Sequence, residues 1–294
     1  MTTTNENTAR LNDRAMLVSL SIRQWSANKT DKKVTKEVAT AHGSDVDMGR
    51  YQKSLLAKGA LETIKRIAGE TRTEFYRRTL PWLDDGARIL TSAGYMTTAE
   101  YVRKQQSTFD DAVGTFLGSY DQFVAEARTR LNGLFDASDY PSFADLKGKF
   151  GFTFGVRPLP DAADFRADIG DEELARVRAE LEAEKTAVVD KAMSDVWARM
   201  RDVVAKMAER LKAYNPSKPG DAPFRDTLVT NITELLDVLP SLNLTGDPAV
   251  DRFTADIRAS LTQYSAEELR ANLFTRQDTA RRAEEILSKM EQYI

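Results

Sequence analysis

Two long segments in the middle of the chain place an apolar residue at every third or fourth position. In residues 98–136 these positions are Val102, Phe109, Val113, Phe116, Tyr120, Val124, Leu131 and Leu134. In residues 171–214 they are Leu174, Val177, Leu181, Val188, Ala192, Val196, Val203, Met207 and Leu211. This spacing predicts two amphipathic helices, each on the order of 60 Å long. Because neither apolar face can be buried alone, we expect an antiparallel helical hairpin of coiled-coil character.

Alternation of apolar and polar residues indicates a small β-sheet at one end of this hairpin. The predicted strands lie near residues 16–22, 87–90 and 150–156. Shorter helices are predicted over residues 30–41, ended by His42-Gly43, and over residues 51–79, ended by Pro81. Residues 80–86 are predicted to form a turn. The expected fold class is therefore mainly α, with a minor β component.

Turn-forming and polar residues suggest how the chain is organised. Residues 1–13 are polar and are expected to form a disordered tail rather than a signal peptide. Residues 14–214 would form the hairpin domain with its sheet, and residues 215–220, rich in proline and polar side chains, a linker. Residues 221–294 are expected to form a C-terminal helical bundle. Two of its helices should begin at Asp247-Pro248 and at a capping box formed by Ser265 and Glu268.

Composition narrows the chemistry that this chain can perform. The 294 residues include no cysteine, which excludes disulfides, thiol nucleophiles and cysteine-ligated zinc. His42 is the one histidine, so a two-histidine metal site is excluded, and its position before Gly43 favours a role in ending a helix. No run approaches the roughly 20 apolar residues of a membrane helix. We therefore expect a cytoplasmic protein that has no membrane partner.

Motifs for catalysis are missing from the sequence. It contains neither the GxxxxGK[ST] loop nor a strand followed by GxGxxG, which argues against nucleotide hydrolysis. Acidic pairs such as Asp84/Asp85 and Asp247/Asp251 occur at predicted turns and helix starts, where carboxylates cap backbone N–H groups. We expect no cofactor, no metal and no catalytic residues. A magnesium-dependent enzyme built on such acidic residues is the least favoured alternative.

Charge is distributed unevenly along the chain. Residues 14–78 contain fourteen Lys and Arg against seven Asp and Glu, although the whole chain has a formal charge of −3. The candidate binding residues in this part are Trp25, Lys29, Lys32, Lys33 and Lys36. They would suit a phosphate backbone, with the tryptophan stacking on a base, or an acidic protein surface. They would equally suit a solvated helix face.

Several short segments resemble a family of uncharacterised proteins from tailed phages and bacteria. They are Leu20-Ser21-Ile22-Arg23-Gln24-Trp25-Ser26, Leu80-Pro81-Trp82, Leu134-Phe135-Asp136, Asp139-Tyr140-Pro141-Ser142 and Leu159-Pro160-Asp161. The resemblance covers most of residues 15–214. Members of that family are typically encoded near a MoxR- or cobaltochelatase-like AAA+ ATPase and a von Willebrand A-type protein. The resemblance implies a phage-encoded, non-catalytic partner of such a module, acting in the cytoplasm of a bacterial host.

The expected function is that of an interaction or adaptor protein. It would engage partner proteins through the long hairpin and the basic N-terminal part, which requires shape and charge rather than catalytic groups. The alternative is a nucleic-acid-binding accessory protein that uses residues 14–78. These two functions differ in partner class, and the sequence leaves both open.

Overall fold

A computed structural model describes residues 11–83, 86–218 and 224–293 of the chain. Helices dominate it and are accompanied by a small antiparallel sheet, which confirms the predicted mainly α class. Residues 11–14 are helical, and residues 1–10 of the predicted tail lie outside the described residues. None of the helices in the described ranges is long and apolar enough to cross a membrane.

The described strands are β1 (Ala15–Arg23), β2 (Asn28–Thr30), β3 (Gln52–Ser54), β4 (Leu80–Pro81), β5 (Arg88–Thr91) and β6 (Gly151–Pro158). Three of them, β1, β5 and β6, lie close to the predicted positions, and the other three were not predicted. Four of them form a sheet in the order β4-β5-β1-β6, and the other two form the antiparallel β2–β3 ribbon. The predicted turn at residues 80–86 is partly incorrect, because Leu80 pairs with Ile89 of β5. Pro81 is tolerated there because β4 is an edge strand.

The helices follow the apolar periodicity in outline, but the helix predicted over residues 51–79 is wrong in its first part, because residues 52–54 form β3 and the helix begins at Glu62. The helices are α1 (Lys32–His42), α2 (Glu62–Arg77), α3 (Ser92–Gly118), α4 (Tyr120–Leu131), α5 (Phe143–Gly148), α6 (Asp171–Ala213), α7 (Thr227–Leu242), α8 (Pro248–Leu261), α9 (Ala266–Ala271) and α10 (Leu273–Met290). The two predicted helix starts are confirmed. Asp247 caps α8 with Pro248 in its first turn, and Ser265 and Glu268 form the capping box of α9.

The chain divides into two compact units. The larger comprises Met1–Ser19, Glu74–Ala99 and Gly155–Ile294, and the smaller comprises Leu20–Thr73 and Glu100–Phe154. This division differs from the predicted domains 14–214 and 221–294, because α6 shares one core with the helices that follow it. Residues 219–220 of the predicted linker lie outside the described residues.

The core of the larger unit is built around α6. Its buried face includes Val196, Met200, Val204 and Met207, and its most extensive packing partner is α10. Trp197 stacks on Tyr293 with ring centroids 4.9 Å apart. The corresponding face of α10 consists of small and apolar residues at helical spacing: Ala280, Ala283, Ile286 and Met290.

The predicted hairpin between residues 98–136 and 171–214 is not confirmed. Residues 98–136 do not form one helix, because α3 ends at Gly118 and α4 begins at Tyr120. The apolar face of α6 is instead covered largely by helices from the C-terminal region. Apolar periodicity identified α6 as a helix that needs a partner, but it did not specify which amphipathic helix that partner would be.

The core of the smaller unit is aromatic. Phe116 lies 5.7 Å from Phe150 and 6.5 Å from Trp25, measured between ring centroids. Trp25 also meets the ring of Tyr120 edge-on at 6.1 Å. Such tilted and edge-to-face pairs stabilise a core beyond the area that they bury. This cluster fixes the segment that leads from β1 into the β2–β3 ribbon.

Candidate functional site

A groove of about 1000 Å³ opens on the surface of the smaller unit. Its walls are the first turn of α1, the β2–β3 ribbon and the turn at residues 132–139, and we call it the α1 groove. Its charged lining residues are Lys29, Asp31, Lys32, Lys33, Glu37, Lys53, Arg128, Asp136 and Asp139. The groove therefore brings together charges from segments that are distant in the sequence.

Local sequence signals define α1. Asp31 caps the helix by accepting the backbone N–H groups of Lys33 and Val34, each at 3.1 Å. Gly43 ends the helix in the left-handed conformation, with φ of 63°, which confirms the predicted end. Thr35 joins this helix to the start of β3, since its hydroxyl accepts the backbone N–H of Tyr51 at 3.0 Å.

A cluster of paired charges forms the floor of the groove. The Nζ atom of Lys53 lies 2.6 Å from one carboxylate oxygen of Asp139 and 3.4 Å from Asp31. The same ammonium donates a hydrogen bond to the carbonyl oxygen of Leu134 at 2.7 Å. Lys29 reaches the second carboxylate oxygen of Asp139 at 2.5 Å. The side chains of Lys53 and Asp139 are only 4% and 5% exposed. Because removing a charge from water is unfavourable, the opposite charge of each residue is needed to stabilise the other.

The pKa values in this cluster shift toward the charged forms. Burial alone would lower the pKa of Lys53, but its hydrogen bond and charge interaction with Asp139, supported by Asp31, raise it above the usual value. Burial alone would raise the pKa of Asp139, but Lys29 and Lys53 lower it. The backbone N–H of Val34 contributes most to the lowered pKa of Asp31. At neutral pH the Lys53 ammonium is thus a fixed charge, unsuited to act as a base or nucleophile.

The sequence-predicted site residues do not all lie in this groove. Lys29, Lys32 and Lys33 line it, whereas Lys36 is exposed on α1 outside the lining. Trp25 is 9% exposed and packs within the aromatic core, so the predicted stacking of this ring on a base is incorrect. Its apolar packing against Phe116 and Tyr120 accounts for its position.

Sequence reasoning missed the residues that shape the groove. Lys53 was counted among the basic residues of the N-terminal part, yet its side chain is buried beneath them. Arg128 was not considered, and it lies 5.0 Å above the ring of Phe135 at the groove edge. The turn at residues 136–139 carried a usable signal, because Asp136 and Asp139 flank two small residues in a pattern typical of capped turns.

The ion pairs within the groove do not include all of its basic side chains, so its surface has a modest excess of positive charge. Lys29 and Lys53 are matched by Asp31 and Asp139. Lys32, Lys33 and Arg128 have no ion pair with any residue in the described ranges. On the acidic side Glu37 is exposed, while Asp136 accepts the backbone N–H of Ser138 at 2.9 Å.

Exposed apolar side chains occur on the groove wall, on α1 and on the turn that contacts α1. Val38 on α1 is 49% exposed, and Val46 and Met48 in the 3₁₀ turn that packs on α1 are 51% and 80% exposed. Leu134 on the groove wall is 36% exposed. We call these four residues the apolar rim. Exposed apolar patches are typical of interaction sites, and three of these residues come from two elements that are in contact, α1 and the 3₁₀ turn.

Metal ligands are not grouped in the part of the chain that the structure describes. Within residues 11–83, 86–218 and 224–293, no three His, Asp or Glu side chains are placed to hold a metal ion. Asp84 and Asp85, considered above as an acidic pair, lie outside these ranges.

Comparisons with protein-family models, with curated proteins and with solved structures found no match to this chain. The assignment of a function therefore depends on the geometry and charge of the grooves.

Proposed function

We propose that this chain is a non-catalytic interaction module whose α1 groove binds an acidic and partly apolar segment of a partner protein. The observation that carries the proposal is the position of Lys32, Lys33 and Arg128. These three cations, without ion-pair partners in the described ranges, line the groove. The apolar rim lies on the groove wall, on α1 and on the turn that contacts α1. An AAA+ ATPase or a von Willebrand A-type protein, the partners that the family resemblance implies, would be the source of such a segment.

The chemistry of the groove favours a protein over a nucleic acid. A phosphate backbone presents dense negative charge, whereas the α1 groove has five basic and four acidic residues in its lining. No aromatic face is offered by Trp25, which is buried. Methionine and arginine are common at protein interfaces. Arg128 is exposed on the groove wall, and Met48 is exposed on the turn that contacts α1.

The charged pair on the floor of the groove, which keeps its charges at neutral pH, also suits binding better than catalysis. Lys53 and Asp139 neutralise each other at 2.6 Å, and neither has the pKa near neutrality that a general acid or base requires. Such a pair holds the turn at residues 132–139 against the β2–β3 ribbon. It therefore preorganises the groove, which lowers the entropic cost of binding.

A second groove supports the alternative of nucleic-acid binding. It measures about 890 Å³, also lies in the smaller unit, and has Lys58, Lys65, Arg66 and Arg130 in its lining against Glu62 alone. We call it the basic groove. Three of its four cations belong to the basic N-terminal part of the sequence. Its surplus of positive charge exceeds that of the α1 groove and would suit phosphate groups.

Selection from a displayed library of random peptides tests the proposed function. The purified chain should enrich peptides that combine Asp or Glu with Leu, Ile or Met, since these complement the free cations and the apolar rim. Enrichment should be lost when Lys32 and Lys33 are both replaced by Glu. Peptides that bind this charge-reversed variant equally well would contradict the proposal.

Binding of a labelled single-stranded oligonucleotide to the same proteins tests the alternative of nucleic-acid binding. If the basic groove binds nucleic acid, affinity should fall steeply with salt and should be reduced by Lys58→Glu/Lys65→Glu. Lys32→Glu/Lys33→Glu should then have the smaller effect. The two pairs of substitutions change the net charge equally, so each is the control for the other.

A further inference from the structure

The larger unit contains a small pocket that the proposed function does not use. It measures about 280 Å³ and is lined by Lys206, Arg210, Arg225, Thr227, Leu228 and Asn231. Lys206 and Arg210 lie one turn apart on α6, and Thr227 and Asn231 lie one turn apart on α7. One wall of the pocket is therefore cationic, and the other offers a hydroxyl and a carboxamide.

None of the three cations of this pocket forms an ion pair with a described residue. Two acidic neighbours in the sequence pair with other residues: Asp202 lies 3.2 Å from Arg201, and Asp226 lies 2.8 Å from Arg270. A third, Glu209, is exposed on α6 and does not line the pocket. No carboxylate is among the lining residues. The composition of the unit does not account for the cluster. The whole chain contains 42 Lys and Arg and 45 Asp and Glu, of which the smaller unit contains 17 and 14. The larger unit therefore has 25 basic and 31 acidic residues, a surplus of six acidic residues.

Grouping these cations is unfavourable unless an anion is bound. Like charges four residues apart destabilise a helix, and Lys206 and Arg210 have this spacing. A third cation, Arg225, comes from the segment before α7 and faces the same concave surface. Charges of one sign that line a concave surface focus the electrostatic field and raise the local concentration of counter-ions. The pocket thus gains from a ligand that carries more than one negative charge.

We infer that this pocket binds a small tetrahedral oxyanion, either inorganic phosphate or the phosphoryl group of a small phosphomonoester. Ammonium, guanidinium, hydroxyl and carboxamide groups all donate hydrogen bonds, and phosphate oxygens accept several at once. The volume of 280 Å³ lies just below the range of about 300–1,000 Å³ that is typical of ligand pockets, so only a small ligand fits. A polymer backbone would need a longer groove. We expect two residues to contribute most to binding the oxyanion: Arg210 through its planar set of N–H donors, and Lys206 as a point charge.

Thermal unfolding of the full chain with increasing inorganic phosphate, at ionic strength held constant with sodium chloride, tests this inference. The melting temperature should rise with phosphate, because a ligand that binds only the folded state stabilises it. In Lys206→Gln/Arg210→Gln the phosphate concentration needed for the same rise should increase at least tenfold. Lys191→Gln/Lys289→Gln is the matched control, because it removes two exposed lysines from the same unit and should respond like the wild type.

The inference is overturned if the wild type shows no phosphate-specific rise, or if all three proteins respond equally. Should Lys206→Gln/Arg210→Gln not unfold cooperatively, Arg225→Gln is compared with Lys289→Gln by the same criterion. Glycerol 3-phosphate, titrated in parallel, distinguishes the two sources of the anion. A lower half-saturating concentration for the ester assigns the pocket to a phosphomonoester, and a lower one for phosphate assigns it to the free ion.

Discussion

The ammonium of Lys53 lies 2.6 Å from a carboxylate oxygen of Asp139, and both side chains are almost fully removed from solvent. The pair joins strand β3 to the turn at residues 137–139, two segments that are distant in the sequence. The carbonyl oxygen of Leu134 and the carboxylate of Asp31 complete the surroundings of the ammonium. This arrangement makes Lys53 the structural centre of the α1 groove.

Removing the ammonium should destabilise the chain. Lys53→Met keeps the aliphatic stem but leaves the buried carboxylate of Asp139 with Lys29 alone, at a cost of about 1–3 kcal/mol. Urea unfolding followed by circular dichroism measures this loss. Lys36→Met, the same substitution at an exposed position of α1, should stay within about 0.5 kcal/mol of the wild type. Equal stability of the two variants would mean that the cluster has no structural role.

The contribution of Asp139 should depend on pH in one direction. Because Lys29 and Lys53 lower the folded-state pKa of Asp139 below that of an ordinary aspartate, the stabilisation is fully present above the unfolded-state pKa. It is lost as the pH falls through the folded-state pKa, where the carboxylate becomes protonated. The stability difference between the wild type and Asp139→Asn should therefore be constant from pH 7 to about 5 and shrink below pH 4. Urea midpoints for both proteins across this range measure it, and a difference that stays constant down to pH 3 would contradict the assignment.

The packing of α6 on α10 can be tested with engineered cysteines, because the natural chain has none. Lys212 on α6 forms an ion pair with Glu284 on α10, and both side chains are about half exposed. Lys212→Cys/Glu284→Cys should be joined within one molecule by a short bismaleimide linker, as detected by mass spectrometry of proteolytic fragments. In the control, Glu172→Cys/Lys212→Cys, the two cysteines lie on one helix about 60 Å apart and should not be joined. An unlinked Lys212→Cys/Glu284→Cys variant would argue against this core.

Local features of the fold could be read from the sequence, since their causes are local. Asp31 and Gly43 delimit α1, and Ser265 and Glu268 begin α9, through contacts within a few residues. Strand β6 is predicted from alternation alone, and Phe152 is the residue of this strand that is buried, against Phe109. These signals do not depend on which element lies opposite.

Pairing between distant elements could not be read in the same way. The apolar face of α6 would suit residues 98–136 or residues 273–290 equally well by periodicity, and the packing selects α10. The same limit applies to the groove. Lys53 looks like any basic residue until the fold places Asp139 beside it, and Trp25 looks available until Phe116 and Tyr120 enclose it.

Lys32 and Lys33 of the α1 groove are proposed to recognise an acidic, partly apolar protein segment. The most direct test is the affinity of one selected peptide, measured by fluorescence anisotropy at physiological salt for three proteins. Lys32→Glu/Lys33→Glu should fold normally and weaken binding by about tenfold or more, because attraction becomes repulsion at two positions. Lys58→Glu/Lys65→Glu, with the same charge change in the basic groove, should bind within about twofold of the wild type. Equal loss in both variants, or no loss in the first, would contradict the assignment of the α1 groove.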